Sequence, residues 1–337
     1  MKMRWAMFGW AFAAAVFAVQ TPSYAEAPPT CHGRDLSELA AARPQELKHA
    51  EEARSDWLVN AKGLLWRIDK AGLAPSYLFG TIHSTDERAV ALAHKAAAEI
   101  HGANVVATEL GGPIDKGTMA ELGAKLLIKA LAKDSDTFAP IASNDRDAVE
   151  KYIAARGINA DLAHHIKLWF LTATTAAPLC EAKRQAMDLP IVDNVIAQAG
   201  KDLGVKVIGL ETFEEQGDTL SALSPADAAT ILVGAAKRPG ADEDAYATLM
   251  ELYVKGRPVE AMPIIDASGL LSKEEIAAED AFSVLLLRER NHVMVDRAKP
   301  LIEAGGAFIA VGAFHLSGKD GLVALLRGDG FTLTPLW

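Results

Sequence analysis

Apolar residues in this chain gather into short, nearly unbroken runs, and four of those runs end on a side chain that is costly to bury. Tyr77-Leu-Phe-Gly-Thr-Ile-His83 closes on a histidine, and Asn104-Val-Val-Ala-Thr-Glu109 and Lys206-Val-Ile-Gly-Leu-Glu211 close on glutamates. Ala307-Phe-Ile-Ala-Val-Gly-Ala-Phe-His315 closes on a second histidine. Runs of this length, rich in β-branched and aromatic residues and bordered by turn signals, read as strands. Their lack of polar alternation predicts strands covered on both faces, as in a parallel sheet.

The segments between them carry helix signals. Ser84-Thr85-Asp86-Glu87 has the spacing of a capping box and opens a helix over 88–101. Strand, helix and strand in that order make a right-handed crossover with the two strands parallel. Asp193–Leu203 feeds the run 206–211 through Gly204 in the same way. Ser272-x-x-Glu275 starts a further helix that should run to about Ala298, where Pro300 stops it. After His315, Ser317-Gly-Lys-Asp320 opens a helix ending near Gly328-Asp-Gly330, and Phe331–Leu336 makes a last strand. Most of 111–190 and 212–266 reads as helix. The expected fold is therefore α/β, a mainly parallel central sheet with helices on both faces and a large helical layer inserted between the sheet halves. With no internal repeat and no low-complexity linker, residues 26–337 are expected to form a single domain.

If the strands are parallel, their carboxyl ends lie along one edge. His83, Glu109, Glu211 and His315 should then converge on the crevice where open α/β sheets bind ligands. Two imidazoles and two carboxylates suit zinc, manganese or cobalt. The same set suits metal-free acid–base chemistry, with a histidine as base oriented by a carboxylate. Asp193 is either the N-cap of the helix that follows it or a member of this site. Arg88 is either a solvated first-turn residue or a guanidinium that binds an anionic substrate group. His164-His165, ahead of Ile-Lys-Leu-Trp169, reads as a packing feature of a helix.

Composition narrows the partners. The chain has 337 residues, 50% hydrophobic and 23% charged, with a formal net charge of −10. That describes an ordinary globular protein. An acidic chain without a basic run does not neutralise phosphates, so nucleic acid is not an expected partner. Residues 1–25 join a short basic lead (Lys2, Arg4), an apolar run and the small-x-small site Ser23-Tyr24-Ala25. This is the pattern of a secretory signal peptide, and the apolar run is too short to span a bilayer comfortably. The expectation is an exported protein, periplasmic or secreted, with no stable membrane insertion after cleavage. In an oxidising compartment the only two cysteines, Cys31 and Cys180, would form one bridge in preference to two buried thiols.

At these residues the chain resembles the TraB/GumN family, whose animal relatives are the Tiki proteases. The resemblance lies in YLFGTIHSTDERAVAL (77–92), VVATEL (105–110), VDNVIAQAGKDLGVKVIGLETFEEQ (192–216), RERN (288–291) and VGAFHLSGKDGLVALLRGDGF (311–331). Its distinctive signature is the pair of G-x-x-H motifs, Gly80-Thr-Ile-His83 and Gly312-Ala-Phe-His315. It implies an α/β fold related to erythromycin-esterase and ChaN-like proteins and, for the Tiki branch, a divalent-metal-dependent protease activity. Carried over by motif, His83, His315, Glu109 and Glu211 are the site residues and metal ligands, with Arg88 and Asp193 at further motif positions. The leading expectation is thus an exported metal-dependent hydrolase, foremost a Tiki-like peptidase, holding Mn, Co or Zn and acting on a peptide or small-molecule substrate. The alternatives are a metal-free esterase-type hydrolase with His83 as base, and a non-catalytic protein that binds haem, metal or another ligand.

Overall fold

A computed structural model describes residues 27–132 and 136–337 of the chain. The leader sequence read at 1–25 lies outside the described residues. Six strands form one sheet: β1 (Leu65–Asp69), β2 (Ser76–Thr81), β3 (Val105–Thr108), β4 (Lys206–Gly209), β5 (Ala307–Gly312) and β6 (Thr332–Pro335), in the order β4-β3-β5-β2-β1-β6. The four runs picked out by their apolarity are β2, β3, β4 and β5, and these pair in parallel. β1 pairs antiparallel with both β2 and β6. The sheet is therefore mixed, a parallel core with an antiparallel flank. β1 escaped the sequence pattern because Arg67 and Asp69, bonded to each other on the surface, interrupt its apolar run.

The unbroken apolarity of the core strands has a direct structural cause. Phe79, Val106 and Phe308 point into one hydrophobic core, while their neighbours Leu78, Ala107 and Ile309 point into another on the opposite face. Successive side chains alternate faces, so a strand with two buried faces shows no polar positions. β5, at the centre, is buried at every residue, whereas β4 at the edge is only half covered. The first core lies under a thick layer of helices that includes Glu87–Ala97, Val192–Asp202 and Ala241–Val254. The second lies under Leu322–Gly328 and the far half of the long helix Lys273–Glu303.

That long helix belongs to both cores. Phe282, Leu286 and Leu287 pack in the first core, and Met294, Val295, Ala298 and Ile302 pack in the second. Its middle, Arg290 and Asn291, falls between them. The helix starts at a true capping box, in which the Ser272 hydroxyl accepts from the Glu275 N–H and the Glu275 carboxylate accepts from the Ser272 N–H. It continues to Glu303, through Pro300 and not up to it. Proline removes one N–H and crowds the preceding turn, but here only one turn of helix follows before the chain leaves through Gly305. The box expected at Ser84 does not form. Asp86 caps helix Glu87–Ala97 by accepting from Arg88 N–H, and the Ser84 hydroxyl is engaged by Tyr246.

Cys31 and Cys180 are bridged, with their Cα atoms 5.3 Å apart at a sequence separation of 149. Around the bridge the amino-terminal segment is held on helix Ala241–Val254, where Arg34 meets Asp244 and Leu36 N–H donates to Thr248. A loop of this length, once cross-linked, removes enough denatured-state freedom to stabilise the fold by about 5 kcal/mol in the chain-entropy account. Replacing both cysteines by serine should therefore lower the denaturant midpoint substantially. Reduction of the wild type should reproduce that loss in the same unfolding experiment.

Candidate active site at the carboxyl edge of the sheet

The parallel register sets Thr81 of β2 opposite Gly312 of β5, and Thr108 of β3 opposite both Ala310 of β5 and Gly209 of β4. All four strands therefore finish along one edge. His83 lies two residues beyond β2, Glu109 directly after β3, and Glu211 two residues beyond β4. His315 does not end its strand, because β5 stops at Gly312 and the histidine sits in the short helix Ala313–Leu316. Both glycines of the G-x-x-H pairs have a steric role. A Cβ on Gly80 would lie 2.9 Å from Ala313, so its absence lets the turn after β5 fold against β2. A Cβ on Gly312 would lie 3.1 Å from a Glu109 oxygen, so its absence lets that carboxylate reach the Gly312 N–H, which donates to Oε1 at 2.7 Å.

The two glutamates share one guanidinium. Arg290 donates from Nε to Glu211 Oε1 at 2.8 Å, and from Nη2 to Glu211 Oε2 at 2.6 Å and Glu109 Oε2 at 2.9 Å. Gln216, one turn into helix Phe213–Ser221, donates its amide to Glu109 Oε2 at 3.1 Å and Glu211 Oε2 at 3.2 Å. Glu109 and Glu211 are 9% and 6% exposed, so charges of this kind persist only if paired this fully. Burial pushes the Glu109 acid upward. The opposing fields of Arg290, His315 and His83 and the Gly312 N–H outweigh it and hold the pKa at about 2.

The two histidines are each tied through Nδ1. His83 Nδ1 lies 2.8 Å from Asp193 Oδ2, and the other Asp193 oxygen accepts from the Thr81 hydroxyl at 2.6 Å. Burial lowers the basicity of His83, yet the carboxylates of Asp193 and Glu109 more than reverse this and raise its pKa to about 9. His315 Nδ1 lies 2.6 Å from Asn291 Oδ1, and Asn291 is oriented by its own Nδ2 donating to the Asp320 carbonyl at 2.8 Å. An oxygen acceptor places the proton on Nδ1 and leaves the Nε2 lone pair free. His315 is 2% exposed, and burial followed by the charge of Arg290 depresses its pKa to about 3, so the ring is neutral. Its Nε2 lies 3.8 Å from Glu109 Oε1, beyond hydrogen-bond range.

Five of the six residues named from sequence thus meet at this edge. Asp193 stands in the first turn of helix Val192–Asp202, whose N-cap is Ile191, so its side chain serves His83 and not the helix end. Arg88 does not join. Half exposed, it pairs with Asp86 and Glu251. The guanidinium beside the carboxylates is Arg290, which the sequence marks only through its place in the family-like stretch 288–291. Asn291, Gln216 and Thr81 were missed as well; only their place in the family-like stretches 288–291, 192–216 and 77–92 could have flagged them. His164 lies elsewhere, bonded to Asp136 and Glu150 and stacked on Phe138.

As a metal site the set is narrower than four ligands. Among the described residues no three His, Cys, Asp or Glu donors form a metal-holding group. Both Glu211 oxygens are engaged by Arg290 and Gln216. Nε2 of His315 and Oε1 of Glu109 can still donate a lone pair, and Nε2 of His83 can do so once it gives up the proton that its raised pKa keeps on the ring at neutral pH. His83, Glu109, Asp193 and Gln216 line a cavity of about 60 Å³, with Gly111 and Gly112 on its far side.

These shifts set opposite pH limits on stability. His83, raised from 6.5 to about 9, stabilises fully below pH 6.5, and that contribution fades as pH rises through 9. His315 and Glu109, lowered to about 3 and about 2, stabilise at neutral pH and lose their contributions as pH falls through those values. Urea unfolding across pH should show both arms, and His83→Gln should flatten only the alkaline one. Arg290→Met, which leaves two buried carboxylates facing each other, should cost roughly 3–5 kcal/mol in the same measurement.

No curated protein sequence matches the chain. The family model of the TraB/PrgY/gumN family matches residues 64–335, a span that contains all six strands and every residue of the cluster around Arg290. By that match over most of its length, the chain belongs to the TraB/PrgY/gumN family.

Proposed function

We propose that the chain is a hydrolase of peptide or related carbonyl substrates, with its reaction centre at His83, His315 and Glu109. The observation that carries this reading is the matched orientation of two imidazoles. Each is fixed through Nδ1, by Asp193 or Asn291, and Nε2 of His315 lies 3.8 Å from Glu109 Oε1. Such outer partners are the usual means by which metal-binding histidines are aimed. Two imidazoles and a carboxylate are the donor types of Mn, Co and Zn. A divalent ion would have to draw His83 Nε2 towards His315 Nε2 and Glu109 Oε1, which form no three-donor group by themselves among the described residues. Glu211 is set apart by Arg290. When bound, the ion would polarise a carbonyl and acidify its water. The chain's own residues do the rest. Asp193 and Asn291 hold the rings, Arg290 and Gln216 fix the face that Glu109 presents, and burial keeps bulk water out. Arg290 also supplies a fixed positive charge near any developing oxyanion.

A metal-free reading is supported by the pairing of His83 with Asp193, whose carboxylate raises the basicity of the ring. With a pKa of about 9, His83 would be protonated at neutral pH. It would then act as a general acid towards the leaving group and not as the base expected from sequence. Binding of haem, metal or another ligand without turnover is the remaining outcome. Export belongs to the same proposal, since the Cys31–Cys180 bridge suits an oxidising compartment.

Elemental analysis of protein purified without chelator, run beside a quenched-peptide library, separates these readings. The metal hydrolase predicts about one divalent ion per chain, and His83→Ala and His315→Ala should each lose both the ion and at least a hundredfold in turnover. Glu211→Gln should keep the ion. Turnover that resists chelator yet vanishes in His83→Ala would select the metal-free mechanism. Undiminished metal and turnover in both histidine variants would end the proposal.

A further inference from the structure

The reaction cavity, at about 60 Å³, admits one small group and not a whole substrate. A much larger groove, about 1150 Å³, adjoins it. The two share a border, since Ile114, Met119, Ile191 and Asn194 line both. The groove is lined by helix Val192–Asp202, by segment 113–119 and by residues from 185–191. Segment 113–119 follows Glu109 in the chain, so the loop that leaves the site goes on to line the groove.

Asn194 ties the helix to the segment. Its Oδ1 accepts from Ile114 N–H and its Nδ2 donates to the Ile114 carbonyl, both at 3.1 Å. This two-point clamp fixes the backbone of Ile114 at the junction of cavity and groove. Around that junction the lining is aliphatic (Ile114, Met119, Ile191), and Val195, Pro113 and Pro190 continue the apolar surface along the groove. Asp115, Asp188 and Asp202 stand against the single ammonium of Lys201, a lining that disfavours an acidic ligand and leaves the aliphatic residues to select an apolar one.

We infer that this groove is the substrate channel of the proposed hydrolase, and that the substrate is an extended polypeptide segment with an apolar side chain immediately beside the bond presented to His83 and Glu109. Ile114, Met119 and Ile191 are its specificity-determining residues, and Asn194 is a positioning residue that holds their spacing. A reacting bond in a cavity too small for its neighbours requires that those neighbours lie outside it. The adjoining groove shares four lining residues with the cavity and is large enough to hold those neighbours as a chain laid lengthwise. This inference rests on the hydrolase reading, so its test must fail separately from it.

The test uses N-acetylated, C-amidated hexapeptides with a central benzophenone side chain, flanked either by leucine or by aspartate. Photolabelling of the full chain should fall on residues 113–119 and 188–202, with leucine peptides labelling at least tenfold more than aspartate peptides. Gln198→Trp, at an exposed groove position, should reduce labelling severalfold, and Ile114→Asp should erase the leucine preference. In cleavage assays of unmodified hexapeptides, the same Ile114→Asp change should shift the preferred residue beside the cut bond while leaving a measurable kcat. Labelling in the groove without any cleavage would uphold the channel and sink the hydrolase. Cleavage with labels elsewhere, or with a preference that both variants leave untouched, would overturn the channel and spare the hydrolase.

Discussion

One buried guanidinium organises the working edge of this protein. Arg290 donates to both glutamates that end neighbouring parallel strands, at distances of 2.6–2.9 Å, with most of its side chain out of water. Two carboxylates at adjacent strand ends would repel each other in a site this dry, and a single cation between them turns that repulsion into a framework. The constraint reaches through the whole fold. Arg290 can stand there only because helix Lys273–Glu303 begins in one hydrophobic core and ends in the other, crossing the sheet edge at its middle. Asn291, the next residue on that helix, orients His315.

The same framework divides labour between residues of one chemical type. Glu211 spends both oxygens on Arg290 and Gln216 and is a structural acid, whereas Glu109 retains an oxygen facing the histidines. The histidines differ as well. His83 faces two carboxylates and is driven towards its charged form, while His315 has an amide partner and a nearby guanidinium and stays neutral. Pairs of titratable groups pushed apart by their surroundings in this way are a common signature of sites that manage protons or polarised water. The glycines ahead of each histidine serve the same end by removing a Cβ where two backbones or a carboxylate must come close.

Much of this was legible in the residues. Uninterrupted apolar runs announced β2, β3 and β5 because two-sided burial removes polar alternation, and polar residues beyond those runs marked the edge where strands stop. The misses share a cause. β1 carries Arg67 and Asp69 on an exposed face, so its pattern resembled a loop. Pro300 was read as a stop, yet a proline one turn from a helix end costs little that the end does not already cost. Arg88, read as either a solvated first-turn residue or a guanidinium for an anionic substrate group, turns outward to Asp86 and Glu251.

The division follows from what each level of structure can encode. Local periodicity, caps and turn residues are written in adjacent positions, so the chain alone determined the four core strands, their shared direction and the set of imidazoles and carboxylates beyond their ends. Which of those side chains meet, and through which atoms, depends on partners 79 to 203 residues away, such as Arg290 for Glu211 and Gly312 for Glu109. Only the folded arrangement could decide that a cation from a distant helix would occupy the space between the glutamates. Burial makes an unpaired charge intolerable there, and no short stretch of sequence records which charge will arrive.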